Sequence, residues 1–493
     1  MSKKIIKSSI SGVLQHVFTA ALTFVSIPIF IKQLGPEQYG LYSLLTILGN
    51  LNVIANLGLN TTLVKSLALQ GKSRQSDYDI VVTIAFVLAI SLPLTAVAFW
   101  LEHPVITKIM NISEAGYLSS HLLYKCILLA NIVLLIGQTL VAILESQGKF
   151  HLTNGFQFIY NSIYWIGTII VVKLGYNLDG VGIIALIASL CWIIILIVTC
   201  YRQWGAISTE GLRSNYRPTL KKQLSHGIKI FSGGLLGLII EPTTKILTGN
   251  LIGIKEVGYL EIAYKLRTQF WGLIMKALAP ILPVISGNAS IINAKTTIIN
   301  TQKNLLLFIT PVTFIIINTL PYLLAIWLKE VNPDLISTVL FLTTSYVISS
   351  VAIPAYFAQL TFFPTTVILA HVCNLGLNLL ITYIMYPLIG YTAIILGSSV
   401  AFLLSNQVNI YVINFRALKE YPSLSDCFRF LIVVFILFAA SWLFLNFFAI
   451  GSLFVCACYS VYMLVTSILL FQFIGIDLIK SGKLSFTNNN HKL

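Results

Sequence analysis

Residues 27–68 read IPIFIKQLGPEQYGLYSLLTILGNLNVIANLGLNTTLVKSLA. At the centre stands Leu34-Gly35-Pro36-Glu37-Gln38-Tyr39-Gly40-Leu41-Tyr42, a polar turn between two long apolar runs. Pro36 cannot continue a preceding helix, and Gly40 permits a helix start at close quarters. The stretch therefore predicts a tight hairpin between two apolar helices. A second copy, Ile252-Gly253-Ile254-Lys255-Glu256-Val257-Gly258-Tyr259-Leu260, repeats both glycines at an offset of 218 residues. One turn used twice at that distance predicts a duplicated helical bundle.

Composition names the solvent. Of 493 residues, 57% are hydrophobic and 10% charged, against about 25% charge in a soluble domain. Mean hydropathy is +0.89. This much apolar sequence belongs in lipid, where only helices and closed barrels satisfy their backbone. The apolar runs reach about 20 residues without alternation, which selects helices over a barrel. The net charge of +15 does not indicate nucleic acid, because Lys and Arg are scattered over short loops. Seven cysteines form no CxxC pair, and Cys456 and Cys458 lie in an apolar run as small helix residues. His16, His121 and His371 have no metal-ligand spacing, and no Walker A motif is present. No metal, cofactor or ATP hydrolysis is expected. Lys3, Lys4 and Lys7 precede a first helix that lacks a cleavage site, so it is expected to be retained.

The pattern predicts fourteen helices, at 8–31, 40–64, 79–101, 117–145, 152–172, 179–201, 227–252, 257–287, 303–328, 333–359, 365–386, 389–414, 428–449 and 451–475. With a cytoplasmic N-terminus, 21 Lys and Arg fall on the cytoplasmic side and 5 on the other. The positive-inside rule then places both termini in the cytoplasm. Six helices separate the two turns, so the copies enter the membrane from the same side as parallel repeats. Leu178–Ile184 echoes Leu388–Ile394 at an offset of 210. The expected fold is an all-α polytopic membrane protein with two parallel six-helix lobes around a central cleft, plus a terminal helix pair. The expected bounds are 1–215 for the first lobe, 216–424 for the second, 425–480 for helices thirteen and fourteen, and 481–493 for a cytoplasmic tail. Two lobes enclosing a cleft suit alternating access better than catalysis.

Polar residues at helical spacing mark interior faces in lipid. Ser8, Ser11, Gln15, Thr19 and Ser26 share a sector of helix one, and Asn52, Asn56 and Asn60 follow one another on helix two. Helix four carries Asn131, Gln138 and Glu145; helix five Asn154, Gln157, Asn161 and Thr168; helix eleven His371, Asn374, Asn378 and Thr382. Such stripes either join helices by hydrogen bonds or line a wet interior, and several long ones favour the second. On helix eight, Glu261, Lys265, Thr268, Gly272 and Lys276 form one face, with Arg267 rotated away. Helix seven answers with Gly237, Glu241, Lys245 and Thr248. By helix rise, Glu241 lies about 16 Å in from the outer end of its helix, and Lys265 and Arg267 about 12–15 Å in from theirs. A charge near the midplane costs at least ~2.5–3.5 kcal/mol. Glu241–Lys245 and Glu261–Lys265 can self-neutralise as i,i+4 pairs, which leaves Arg267 and Lys276 for an anionic guest such as phosphate. Lys65, at the inner end of helix two, is either a positive-inside residue or a cytoplasmic gate contact.

The turn at 34–42, followed by Asn56-Leu57-Gly58-Leu59-Asn60-Thr61-Thr62-Leu63-Val64-Lys65, resembles the opening of the polysaccharide-biosynthesis flippases. These are the Wzx-type O-antigen and capsule transporters of the multidrug/oligosaccharidyl-lipid/polysaccharide superfamily. Members often carry Asp where this chain has Asn56, so no role passes to that position as an acid. The resemblance implies a V-shaped two-lobed bundle in the bacterial inner membrane. It implies transport of an undecaprenyl-pyrophosphate-linked sugar repeat from the cytoplasmic to the periplasmic leaflet. It also implies a basic cavity, to which Lys245, Lys265, Arg267 and Lys276 would contribute, with Asn52, Asn56, Asn60 and Lys65 as further substrate contacts. Glu241 and Glu261 are the coupling or charge-pairing acids. The expected partners are the lipid-linked oligosaccharide, membrane lipid, a coupling ion (proton or sodium) and polysaccharide polymerase machinery, around a monomer. Two alternatives stand beside this. A multidrug-type exporter on the same fold would favour an acidic, aromatic pocket. A membrane glycosyltransferase or polymerase would need a large outer loop with catalytic acids, and here only Glu102 and Glu114 lie between helices three and four.

Overall fold

The computed structural model describes residues 3–50, 59–208, 212–278, 281, 285, 288, 290–329, 332–363, 365–419 and 424–473. Among them the secondary structure is helical, with no strand. Fourteen longer helical stretches follow in chain order, besides a short helical turn at 102–109: α1 (Lys3–Thr46), α2 (Leu59–Gln70), α3 (Arg74–Trp100), α4 (Glu114–Ser146), α5 (Phe150–Lys173), α6 (Asn177–Trp204) and α7 (Leu212–Leu251). Then come α8 (Ile254–Leu278), α9 (Ile291–Leu328), α10 (Pro333–Ser349, prolonged to Phe362), α11 (Thr366–Ile389), α12 (Tyr391–Ile410, prolonged to Ala417), α13 (Leu424–Phe447) and α14 (Leu453–Phe473). Among the described residues, 9 helical stretches are long and apolar enough to cross a membrane. The outer faces agree. On α6, Ile183, Ile187, Leu190, Ile194, Ile197 and Tyr201 are all exposed at i, i+4, i+7 spacing, while Trp192, Leu196, Cys200 and Trp204 are buried on the opposite face. A stripe of that length facing water would be untenable; facing lipid it is the expected surface.

The opening turn is tighter than a hairpin loop. Helix α1 is interrupted at one residue, Gly35, at φ 81 and ψ 162, a conformation that favours glycine. Pro36 then opens the next helical segment, where its missing N–H would have had no partner. In the second copy Gly253 separates α7 from α8 at φ 157. Other elements run longer than apolar periodicity suggests. Helix α7 begins at Leu212, so the expected loop 202–226 is mostly helix, and α9 begins at Ile291 with Ala294, Ile298 and Gln302 buried one turn apart. Lys, Arg, Gln and Leu are good helix formers, and a hydropathy window stops before such polar turns.

The chain forms two compact units, Met1–Glu261 and Ile262–Leu493. In the first, α4 and α6 form the spine, with Leu140, Ile143 and Leu144 of α4 packed on Trp192, Leu196 and Trp204 of α6 and on Leu63 and Leu67 of α2. The polar stripes of α1 and α5 face each other. Asn161 Nδ2 donates to Thr19 Oγ1 at 2.7 Å, Asn154 Nδ2 to Ser11 Oγ at 3.0 Å, and Tyr42 and Tyr164 hydroxyls meet at 2.8 Å. These two stripes are a helix–helix seam, each bond contributing about 0.6 kcal/mol and at most about 1.7. Helix α7 joins this unit through Gln223, which accepts from Thr83 Oγ1 at 2.8 Å and donates to the Asp79 carbonyl at 3.0 Å.

In the second unit, Ala294 and Ile298 of α9 pack with Ile353, Phe357 and Ala358 of α10 and with Val412 and Ile413 beyond α12. The terminal pair is held on α9 by Leu307 against Val433, Leu437 and Met463. A buried polar knot locks the same place. Asn318 Nδ2 donates to the Tyr459 hydroxyl at 2.9 Å, and that hydroxyl meets Ser441 Oγ at 2.7 Å.

Candidate functional site

Charge is concentrated where α7 meets α8. Lys245, 3% exposed, places its Nζ 2.5 Å from Glu261 Oε2 and 3.0 Å from Glu241 Oε1. Glu261 is 2% exposed and also accepts from Ser43 Oγ at 3.1 Å. The i,i+4 spacing of Glu241 and Lys245 is realised as an ion pair. Glu261 also receives an ammonium from the neighbouring helix, that of Lys245. Ser43 and Glu261 are 218 residues apart, the same offset that relates the two glycine turns. The turns themselves pack together. A Cβ on Gly40 would stand 1.9 Å from the Ile254 carbonyl oxygen, and one on Gly258 would stand 3.1 Å from the Pro36 oxygen. Equivalent positions of the two copies thus meet, and the buried ion cluster sits beside that meeting point.

Helix α8 carries the remaining cations onward. Lys265 is half-buried. The Arg267 guanidinium lies between two rings, 4.1 Å from the centroid of Tyr264 and 4.2 Å from that of Tyr346. Tyr346 in turn stacks on Phe402 at 3.5 Å, and Trp271 meets both edge-on. Sequence spacing had Arg267 rotated off the Lys265 face; the aromatic partner from α10 that holds it is a tertiary contact. Asn52, Asn56 and the side chain of Lys276 lie outside the described residues.

Between α2 and α4 opens a cavity of about 580 Å³ lined by Asn60, Val64, Lys65, Ala68, Gln138, Val141, Ala142 and Glu145. Asn60 Nδ2 donates to Gln138 Oε1 at 3.4 Å, and Thr139 Oγ1 donates to Asn60 Oδ1 at 3.3 Å. Two polar stripes that sequence placed on separate helices therefore line one space.

Two buried carboxylates escaped the sequence reading, because α3 starts at Arg74, not at 79. Ser73 caps it, accepting from the Ser76 N–H at 3.2 Å, and that Ser-x-x-Ser-Asp run was the available signal. Asp77 holds Lys72 Nζ at 2.7 Å, Trp204 Nε1 at 2.9 Å and the Ser208 N–H at 2.9 Å. It ties the end of α6 to the α2–α3 turn. Asp79, 1% exposed, accepts from Ser66, Gln70 and Gln75 at 2.6, 3.3 and 3.2 Å.

Residues 5–289 match the family described as "Polysaccharide biosynthesis protein". The chain belongs to that family. This polysaccharide biosynthesis protein is 22% identical over 257 residues to the "Putative O-antigen transporter" of Shigella flexneri, covering 52% of this chain and 60% of that one. It thus spans less than two thirds of the length of that curated relative. Its fold resembles the lipid II flippase MurJ in an inward closed conformation, with a TM-score of 0.68 at 15% identity over 97% of this chain and 98% of the other. It also resembles an inward-facing multidrug resistance MATE family transporter of the MOP superfamily, with a TM-score of 0.69 at 16% identity over 84% and 100%. Family and fold together are those of a multi-pass membrane protein of polysaccharide biosynthesis.

Proposed function

We propose that this protein carries an undecaprenyl-pyrophosphate-linked oligosaccharide repeat unit from the cytoplasmic to the periplasmic leaflet of the bacterial inner membrane, for O-antigen or capsule synthesis. The observation that carries the reading is membership of the polysaccharide biosynthesis family across residues 5–289, on a fold that a lipid II flippase shares. The mechanism is alternating access between two six-helix repeats, residues 1–215 and 216–424, around a central cleft, with both termini cytoplasmic. The chain acts as a monomer, driven by a proton or sodium gradient, and delivers its cargo to a polysaccharide polymerase.

The cations of α8 serve the pyrophosphate. A guanidinium held between two aromatic rings keeps its charge and loses little freedom on binding. Lys265 and Lys276 add ammonium donors from the same helix. Lys245 is occupied by two carboxylates, so its part is to hold Glu241 and Glu261, the acids available for ion coupling. A multidrug-type exporter is the second reading, favoured by the likeness to a multidrug transporter fold; organic cations would be repelled by Lys265, Arg267 and Lys276 on one helix.

Losing one charge-assisted contact costs about 1.5–3 kcal/mol, roughly ten- to a hundredfold in affinity. Lys265→Ala is expected to reduce surface polysaccharide at normal protein abundance, Lys265→Arg to retain more export than Lys265→Gln, and drug susceptibility to stay constant. Full export by the glutamine variant at normal abundance would mean that the cation is structural. A drug-susceptibility change without polysaccharide loss would favour the exporter.

A further inference from the structure

We propose that the cavity between α2 and α4 is a separate recognition site that reads the sugar of the guest, a proposal that rests on the transport reading above. Its volume, about 580 Å³, is that of a small-molecule site. Its two ends differ. Asn60 meets Gln138 at one end, and Lys65 and Glu145 lie one to two turns further along their helices, by a rise of about 1.5 Å per residue. Lys65 is exposed and Glu145 half-buried. Among the described residues neither side chain has a hydrogen bond or an ion pair. Glu145 also lies in the last turn of α4, before the cap at Gln147. The helix macrodipole disfavours a carboxylate there. Among the described residues none pairs with the Glu145 carboxylate to offset that placement, which points to a hydrogen-bond donor brought by a ligand.

The lining decides what kind of ligand. One ammonium and one carboxylate leave it neutral, so a pyrophosphate would meet Glu145 and an organic cation would meet Lys65. Among the described residues no aromatic ring lines it to hold a flat drug. Two primary amides, a carboxylate and an ammonium supply planar acceptors and several donors in one space, and Val64, Ala68, Val141 and Ala142 supply small aliphatic walls. A neutral ring bearing adjacent hydroxyls satisfies all of them at once. The pyrophosphate of the same guest would stay with the cations of α8, so the two groups of residues divide charge from sugar identity.

The test uses the full chain purified into lipid nanodiscs, with two probes: undecaprenyl pyrophosphate, and the same carrier bearing one N-acetylhexosamine. The wild type is expected to prefer the sugar-bearing carrier. Glu145→Ala and Lys65→Ala are each expected to cut that preference about tenfold, with binding of the bare carrier unchanged. Glu145→Gln serves if the alanine variant does not fold. The exchange Lys65→Glu with Glu145→Lys is expected not to restore export, because a sugar needs each group in its own place. Restored export would mean a gate salt bridge and overturn the proposal. So would an unchanged preference in every variant, or equal weakening of both carriers. A wild type that binds both carriers alike overturns the sugar site alone; one that binds neither overturns the transport reading with it.

Discussion

Replacing Lys245 with methionine is expected to remove most of the folded protein from the membrane. Its ammonium lies 2.5 Å from Glu261 and 3.0 Å from Glu241, and Glu261 is 2% exposed. Deleting the cation leaves two carboxylates close together in a buried site. Removing one partner of a buried ion pair costs about 3–5 kcal/mol, against about 5–15 kcal/mol for a whole fold. Removing both partners is often nearly neutral. The double variant Lys245→Met with Glu261→Gln is therefore expected to recover abundance and thermal midpoint. Monodispersity and melting of a fluorescent fusion would measure both. A Lys245→Met single variant that melts like the wild type would show that the cluster bears little of the fold's stability. The double variant also separates charge pairing from coupling. If it responds to imposed proton or sodium gradients as the wild type does, Glu261 only neutralises Lys245. If it folds but loses that dependence, Glu261 couples the ion.

The second large effect is expected at Gly40. An added methyl would stand 1.9 Å from the Ile254 carbonyl oxygen and 2.8 Å from its carbon. Both are main-chain atoms, so no rotamer change relieves the clash; one helix must move off the other. Overpacking typically costs about 1–3 kcal/mol, and a backbone clash belongs at or above the top of that range. Gly258→Ala meets its nearest atom, the Pro36 oxygen, at 3.1 Å, a gap that a shift of a few tenths of an ångström relieves. Gly35→Ala meets nothing within 4 Å but must hold φ at 81 with ψ at 162, for about 1–3 kcal/mol. The expected order of damage to the melting temperature is Gly40 first, with Gly35 and Gly258 behind. Equal melting of Gly40→Ala and Gly258→Ala would refute the close approach.

The sequence alone determined the solvent, the helix count and the repeated turn. Each is a local property. Lipid selects apolar runs of about 20 residues, and a glycine that must turn the chain does so whatever packs against it. It also ranked the faces, since period 3.6 groups residues that look the same way. It did not determine what each face looks at. The stripes on α1 and α5 left a hydrogen-bonded seam and a wet interior both open, and they are hydrogen-bonded to each other. Spacing paired Glu241 with Lys245 along one helix, and only the tertiary structure brings Glu261 of α8 to the same ammonium. Arg267 read as a free cation until Tyr346, 79 positions on in the chain, closed over it. Asp79 went unread at the start of the helix expected at 79–101, and Ser66 of α2 and Gln223 of α7 bond it in the buried interior. In each case the deciding energy is a contact between residues distant in sequence. Periodicity carries no information about such a partner, because many helix pairings satisfy the same stripe, and only close packing in three dimensions chooses one.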